Sequence, residues 1–365
     1  MARKKTQKKA FAPPARPLFK WTGGKTDELP LIEACKPHSF HRLIEPFVGG
    51  GAVLLGTPVD KPAVVNDLSQ DLIALYRYMA EENASFIDTI MQIDCLWNIP
   101  RTADMSQSDG AILAQMCRLL HGKTGSLGNE RDACKFLKQG LARKRAFADR
   151  MKAANDEEAA DIDQLLLTGI WSGLYTWMRH NFNQSSPGPI RSALFWFMRD
   201  FCYGGMFRTN GKGEFNVPYG GASYSGRSIK DKLDYQRSPV VLKRLKATAF
   251  YNLDFEAFLE EAKPTSDDFV FLDPPYDSPF STYDGNRFTQ DDHRRLAQWM
   301  RDTPAKWLMV ISETNAVNEI YGNISGTKIS RISKVYRGNI KGRVNNATTH
   351  LMISNYPHPS ELDLK

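Results

Sequence analysis

Four consecutive residues, Asp273-Pro274-Pro275-Tyr276, follow a wholly apolar stretch at 269–272. Such a stretch predicts a buried strand of a parallel sheet, and ligands bind such sheets at the carboxyl ends of strands. The two prolines lack N–H donors and fix their φ angles, so the turn is stiff and offers carbonyl oxygens as acceptors. The Asp273 carboxylate and the Pro274 carbonyl would hold both hydrogens of an aromatic amine, such as that of adenine, while Tyr276 stacks on the ring. The alternative is an ordinary rigid turn.

A second segment, residues 45–52, combines Glu45-Pro46-Phe47-Val48 with three glycines between a predicted strand (43–45) and a predicted helix. Glycines at this place let the backbone approach a bound nucleoside or methionine group. The segment does not fit a dinucleotide fingerprint, because Leu54 stands where the third glycine is required. We predict four cofactor contacts here: Glu45, Phe47, Gly49 and Gly51.

Acidic residues also follow two further predicted strands. Asp67 comes after 63–66, where a carboxylate can accept hydrogen bonds from both ribose hydroxyls of an adenosyl group. Capping of the following helix is the rival role, and ribose binding is the favoured one. Asp254 follows 250–253 and has two nearly equal interpretations, a contact to the cofactor adenine or a helix N-cap.

The segment Lys20-Trp21-Thr22-Gly23-Gly24-Lys25 offers a stacking surface, a flexible glycine pair and two cations. This combination suits the carboxylate of a methionine moiety. It does not fit a phosphate-binding loop, which needs a longer glycine spacing before its lysine. Trp21, Gly23, Gly24 and Lys25 are therefore predicted cofactor contacts.

An α/β sheet must position these segments, since apolar strands, glycine turns and helical stretches alternate over residues 19–78 and strands resume near 249. We predict a catalytic domain formed by 18–80 and 245–356. Residues 81–244 form a largely helical inserted module with a target-recognition region. Residues 1–17 are predicted to be a disordered basic tail, and 357–365 a C-terminal tail. Residues 191–224 mix aromatic, glycine and basic side chains, which favours a hairpin or loop that touches a ligand.

The composition describes a soluble globular protein, with 365 residues, 42% hydrophobic and 24% charged. The sequence offers no segment for a membrane span or secretory signal, so a cytoplasmic location is expected. A net charge of +7 is compatible with a polyanionic partner without requiring one. The five cysteines form no C-x-x-C pair, so we predict reduced, packed thiols and neither a zinc site nor a disulfide framework.

The chain resembles the Dam-type DNA adenine methyltransferases of the alpha group in four blocks that occur in the family's order. The blocks are 19–25, 45–51, Gly213-Glu214-Phe215-Asn216-Val217-Pro218-Tyr219-Gly220 and 273–276. The resemblance implies a Rossmann-like methyltransferase sheet that uses S-adenosyl-L-methionine. It also implies methylation of adenine N6 at a short site in double-stranded DNA, by base flipping and direct attack, without a metal. The bacterial, phage or mobile-element setting of the family makes a cognate restriction endonuclease a candidate partner, and a monomer or weak dimer is expected.

By resemblance, Trp21, Lys25, Asp67 and Asp273 are cofactor contacts. Predicted DNA contacts are Lys20, Arg208, Asn210, Lys212 and Tyr219. Arg208 would read guanine through a bidentate pair or clamp a phosphate, and both interpretations stay open. The long middle segment and the acid at Glu313 depart from the family pattern and leave the target sequence open. Methylation of a cytosine amine and a catalytically silent DNA-binding module are the alternatives.

Overall fold

One mixed sheet forms the centre of the protein in the computed structural model, which describes residues 16–19, 21, 23–153, 161–275, 288–335 and 347–359. In these residues the sheet has seven strands in the order β3-β2-β1-β4-β5-β7-β6. Strand β7 runs antiparallel to β5 and β6, and the other pairs are parallel. The strands are β1 (Leu43–Glu45), β2 (Ala63–Asn66), β3 (Thr248–Tyr251), β4 (Phe269–Leu272), β5 (Lys306–Ser312), β6 (Lys328–Val335) and β7 (Ala347–Ser354).

Helices connect the parallel strands, and a long run of them lies between β2 and β3. The first three are α1 (Leu29–Cys35), α2 (Ala52–Gly56) and α3 (Gln70–Ala80). The inserted run is α4 (Ala84–Asn98), α5 (Asp109–Leu120), α6 (Glu130–Ala153), α7 (Ile162–Gln184), α8 (Pro189–Phe201), α9 (Ala222–Ser225), α10 (Ile229–Gln236) and α11 (Pro239–Lys246). The last three are α12 (Phe255–Ala262), α13 (Gln290–Asp302) and α14 (Asn315–Tyr321). No helix in the described ranges is long and apolar enough to cross a membrane.

The central strands are apolar throughout because both faces of the sheet are covered. Phe269 and Phe271 of β4 belong to one hydrophobic cluster, and Val270 and Leu272 belong to a second. The first cluster also contains the tryptophans of α4, α7 and α8. The inserted helices therefore share a core with the sheet, and the predicted division at residue 80 does not separate two hydrophobic cores.

Strands β1, β2 and β4 have the predicted bounds. The sequence also predicts apolar strands at 249–253, 307–311 and 348–353, and β3, β5 and β7 differ from these bounds by one or two residues. Strand β6 was not predicted. It begins with Lys328 and pairs only with β7, as an edge strand, so its sequence lacks the continuous apolar run that identifies buried strands. The prediction of a loop from residue 191 was wrong for its first third, which is α8, buried from Ser192 to Phe201.

The prediction that all five cysteines are reduced, packed thiols needs correction. Cys117 of α5 and Cys134 of α6 form a disulfide, Cα to Cα 5.6 Å, and Cys95 is exposed, so only Cys35 and Cys202 are packed thiols. The 17-residue spacing of the bonded pair gave no motif, because helix packing brings the two together.

Most of the predicted N-terminal tail (1–15) and the last residues (360–365) lie outside the described residues.

The described ends of the chain are anchored. The Arg16 carbonyl accepts a hydrogen bond from the Tyr235 hydroxyl at 2.8 Å. His358 is buried and its Nδ1 lies 2.7 Å from the Ser354 hydroxyl oxygen. The predicted tails 1–17 and 357–365 therefore each include residues that pack against the body of the protein.

Candidate active site

Four acidic side chains meet at the carboxyl edge of the sheet. The neighbouring strands β3, β2, β1 and β4 end in turn near Asp254, Asp67, Glu45 and Asp273. All four line one open cavity of about 1860 Å³, together with Trp21, Lys25 and the glycine turn 49–51. The sequence segments that predicted a site are thus brought together by parallel strand pairing, although about 250 residues separate the first from the last.

Asp273 is tied to the N-terminal segment by an ion pair with Lys25. The Lys25 Nζ donates to Asp273 Oδ1 at 2.5 Å and to the Gly23 carbonyl at 2.9 Å. Lys25 is only 2% exposed, whereas the Asp273 side chain is 22% exposed and faces the cavity. The pair holds the carboxylate in a fixed place at the turn that β4 leads into. Pro274 and Pro275 also line the cavity, while Tyr276 lies outside the described residues.

Glu45 is the most deeply buried acid of the site, at 2% exposure. Its Oε1 atom accepts no hydrogen bond in the described part of the chain. Burial raises the pKa of this carboxyl from 4.5 to about 8, since the charge of Arg244 offsets the desolvation only in part and Asp273 adds to the shift. Glu45 therefore presents an unsatisfied buried acceptor to the cavity, which is an arrangement that a cationic ligand would stabilise.

Asp67 braces the glycine turn. Its Oδ2 accepts from the Gly49 N–H at 3.0 Å, and its Oδ1 accepts from the Ser69 N–H at 3.0 Å. Ser69 is the N-cap residue of α3, so Asp67 does not have the rival capping role. Asp67 also lines the cavity.

The glycine turn is shaped by Trp21 and Tyr76. A Cβ at Gly50 would lie 2.8 Å from the Trp21 Cβ, and one at Gly51 would lie 2.6 Å from the Tyr76 hydroxyl. Gly49 and Gly51 also have φ values of +47° and +69°, which L side chains rarely adopt. The glycines are thus required by close protein neighbours and by backbone conformation, and they leave the turn lying open along the cavity floor.

Asp254 has the N-cap role that was one of its two predicted interpretations. Its Oδ1 accepts from the Glu256 N–H at 3.0 Å, and both oxygens lie 3.1 Å from Arg295 nitrogens. Burial works against ionisation, but the bonds from Arg295 and Glu256 hold the pKa of Asp254 below its usual value. Phe47 lies close by, with its ring 5.6 Å from that of Phe255, and also lines the cavity.

The predicted recognition segment contains a hairpin, residues 208–216, closed by a bridge between Thr209 and Phe215. Arg208 is exposed at the cavity rim, and its Nε donates to Asn216 Oδ1 at 3.1 Å. Asn210 is used within the turn, since its Oδ1 accepts from the Lys212 and Glu214 N–H groups at 2.9 and 3.0 Å. Arg208 and Lys212 are therefore the exposed cations of this hairpin.

Tyr219, a predicted DNA contact, lies in the core rather than on the surface. It is 9% exposed, and its ring is 5.6 Å from both Trp97 and Tyr175. Phe195 and Trp196 are buried as well. Lys20, another predicted DNA contact, lies outside the described residues. Tyr203, in the same segment of the chain, is exposed (44%).

One residue beside the site was not predicted individually from the sequence. Arg199 of α8 is fully buried, with its guanidinium 4.3 Å from the centre of the Trp21 ring and 5.4 Å from that of Phe207. Phe207 in turn stacks on Phe215 of the hairpin at 4.9 Å. Arg199 thus lies between Trp21 in the cavity wall and the hairpin. The sequence pattern that could have suggested Arg199 is an arginine placed among the aromatic residues of 195–201.

Comparisons with known proteins identify a family and several relatives of this chain. The model of a family described as D12 class N6 adenine-specific DNA methyltransferase matches residues 21–103 and 147–337. The chain is 28% identical to the type II methyltransferase M.CviBI of Paramecium bursaria Chlorella virus NC1A, over 93% of this chain and 100% of that protein. It is 26% identical to the DNA adenine methylase of Haemophilus influenzae, over 88% and 87% of the two chains. A DNA adenine methylase of Vibrio cholerae is also 26% identical, over 77% and 74%.

Proposed function

We propose, since the chain belongs to the D12 class N6 adenine-specific DNA methyltransferase family, that its cavity binds S-adenosyl-L-methionine beside a DNA adenine that has left the helix. The chain is an adenine-specific DNA methyltransferase. The proposal concerns the methyl donor, the residues that hold it and the way in which they act. Family membership also favours adenine over the cytosine amine and an enzyme over a silent binding module.

The observation that carries this proposal is the buried, unsatisfied Oε1 of Glu45 at the cavity floor. S-adenosyl-L-methionine has a sulfonium and an ammonium group, so it would place a positive charge beside the Glu45 carboxylate. A nicotinamide dinucleotide would bring phosphates to an edge that has four carboxyl groups. The charge of the edge therefore fits the methyl donor and opposes the dinucleotide.

Three further groups would complete the cofactor site. Asp67 lines the cavity next to the glycine turn that it braces, and its carboxylate would accept hydrogen bonds from the ribose hydroxyls. Trp21 provides an aromatic surface, and Lys25 provides a cation for the methionine carboxylate. Because Lys25 already pairs with Asp273, a bound carboxylate would share this cation. Asp254 contributes at the adenine end only through the part of its side chain that Arg295 leaves accessible.

Asp273 and the Pro274 carbonyl would accept the two hydrogens of the adenine amine. S-adenosyl-L-methionine, when bound, would supply an electrophilic methyl group to the amine nitrogen, and its sulfur would keep the electron pair of the S–C bond. The amine nitrogen becomes positive as this happens, and the Asp273 carboxylate stabilises that charge where it develops. The surplus proton leaves the nitrogen afterwards. Tyr276 is expected to stack on the base.

DNA must present the adenine outside its stack, because the amine of a paired base cannot reach the cavity floor. Arg208 and Lys212 on the hairpin are the proposed contacts to the duplex, with Arg208 nearest the cavity. Relatives named as type II methyltransferases suggest a restriction-modification setting, in which a cognate restriction endonuclease is the proposed partner.

Calorimetric titration tests the assignment of the donor. S-adenosyl-L-methionine should bind the purified protein with one site per chain, and a nicotinamide dinucleotide in excess should not displace it. The Asp67→Asn variant should bind more weakly, because the amide cannot accept from the Gly49 N–H and the ribose with the same strength. Displacement by the dinucleotide, or unchanged binding in Asp67→Asn, would contradict the proposed site.

A further inference from the structure

The positive charge of this protein is concentrated in two segments. Residues 1–15 contain five basic and no acidic residues. Helix α6 contains eight basic residues against three acidic ones, which equals five of the seven net charges of the whole chain. The rest of the chain is acidic on balance. Most of α6 also lies within residues 104–146, which the family model does not match. The family's shared chemistry therefore does not account for this charge.

Six cationic side chains of α6 are exposed, and four of them lie between residues 131 and 143. Arg131, Lys135, Lys138 and Arg143, which we call the α6 basic face, are all exposed. In the described residues none of their side chains forms an ion pair or hydrogen bond, whereas Arg145 of the same helix pairs with Asp109. The one exposed acid among them is Asp132. Arg150 and Lys152 are also exposed but lie near the end of the helix, and further acids follow at 156–158 in the sequence. The basic face therefore includes only the residues up to Arg143.

Helix α6 is fixed rigidly to its neighbour. Gly140 of α6 packs on Gly169 and Gly173 of α7 so closely that an added Cβ at Gly140 would lie 2.2 Å from the Gly169 carbonyl oxygen. Such close packing leaves the helix little freedom to move, and its exposed side chains therefore have a defined position relative to α7.

The same helix pair supports the recognition hairpin. Asn183 of α7 bonds the backbone of Phe215 in both directions, at 2.9 and 3.0 Å. Phe136 of α6 lines a small cavity of about 220 Å³ together with Asn183 and the hairpin residues Asn210 and Glu214. Lys135 of the basic face is thus the immediate chain neighbour of a side chain that borders the hairpin.

We propose that the α6 basic face is a second DNA contact, which binds the phosphates that flank the recognition site. This inference rests on the proposed function, since the hairpin is taken to hold the site itself. Arg131 and Arg143 are twelve residues apart, or about 18 Å along the helix, a length that passes about five phosphates of one strand. Exposed cations held at fixed positions bind phosphates without reading the bases, so the contact adds affinity and not sequence choice.

A charge-neutral variant tests the proposal. In one protein Arg131, Lys135, Lys138 and Arg143 are all changed to Gln. The matched control changes four basic residues at the amino edge of the sheet, away from the cavity: Lys243→Gln, Lys263→Gln, Arg301→Gln and Lys306→Gln. Both variants have the same net charge. The four residues of the basic face are exposed, and the control residues are exposed or half-buried, so both proteins should fold.

Affinity is measured on duplexes of about one and about three helical turns (about 10 and about 30 base pairs) that contain the same site, over a range of salt concentrations. The α6 variant should bind the long duplex at least roughly tenfold more weakly than the control. Its plot of log affinity against log salt should be shallower by about 0.9 for each phosphate that the variant no longer neutralises. On the short duplex the two variants should agree, and the methyl transfer rate at saturating DNA should match that of the wild type.

Equal affinities and salt slopes of the α6 variant and the control on the long duplex would overturn the proposal. Equal weakening on short and long duplexes would also overturn it, because the face would then contact the site itself. These readouts need no methyl transfer. Failure of the proposed function would appear instead as a wild-type protein that binds DNA but transfers nothing.

Discussion

At the carboxyl edge of the sheet, Lys25 is buried, Asp273 is half-buried, and their ion pair holds both side chains in place. On the described parts of the inserted helices and the hairpin, the charges that face solvent have few partners, as at Lys212 and Lys135. The difference indicates that the two regions have different roles. A chemical step needs charges that are fixed before the substrate arrives, whereas attraction to a polyanion needs charges that remain available.

The largest expected effect is that of Asp273→Asn. The amide keeps the shape and the contact to Lys25 but cannot stabilise positive charge on the amine, so the transfer rate should fall by about 10³-fold. The thermal midpoint should fall as well, because the buried Lys25 ammonium loses its counter-charge, so the transfer rate is measured below the unfolding transition of the variant. Single-turnover transfer with both substrates saturating measures the chemical step directly. A rate within a few fold of the wild type would show that the buried edge is not the chemical region.

Glu45→Gln should change the pH dependence of stability. The folded pKa of about 8 lies above the ordinary 4.5, so between these values the folded protein binds more protons than the unfolded chain. The free energy of unfolding therefore falls as pH rises from about 4.5 to 8, and is then constant with respect to this group. The variant does not undergo this fall, so its stability relative to the wild type should rise by about 2 to 4 kcal/mol between about pH 5 and pH 8.

Urea unfolding at several pH values measures this change. Glu260→Gln, at an exposed carboxyl of α12, is the control and should give a difference that does not vary with pH. A parallel pH dependence of Glu45→Gln and the wild type would show that Glu45 is already ionised in the folded protein.

Gly50→Ala tests how closely the glycine turn packs against Trp21. The new methyl group would overlap the Trp21 Cβ, and Trp21 cannot retreat easily because Arg199 lies against its ring. We expect stability to fall by about 1 to 3 kcal/mol and S-adenosyl-L-methionine to bind more weakly. Gly110→Ala in α5, where an added Cβ meets nothing within 4 Å, should leave both unchanged. If Gly50→Ala matched this control, the turn would have more room than the structure gives it.

The smallest effect is expected at the exposed hairpin. Arg208→Ala should lower discrimination between the preferred site and near-cognate sites by about 1 to 3 kcal/mol if Arg208 pairs with a guanine. Lys212→Ala should weaken binding to all sequences alike. Methylation sequencing of DNA treated with each variant compares them. An unchanged site preference in Arg208→Ala would assign Arg208 to the phosphates instead.

The carboxyl edge could be predicted well from the sequence because each of its parts is local. A buried strand followed by a polar residue is visible in a short stretch of sequence, and parallel pairing then places Glu45, Asp67 and Asp273 together. The role of Arg199 could not be predicted, since it depends on α8 packing against Trp21 across the fold. Tyr219 was misjudged for the same reason, because its burial depends on Trp97 and Tyr175 in distant helices.

The most direct test of the account identifies the methylated product. Unmodified duplex DNA is incubated with the wild type and S-adenosyl-L-methionine that carries a labelled methyl group, and the nucleosides are then separated by mass. The label should appear as N6-methyladenine and should form about 10³-fold more slowly with Asp273→Asn. Label in N4-methylcytosine, or no label in DNA from a protein that binds both DNA and the cofactor, would contradict it.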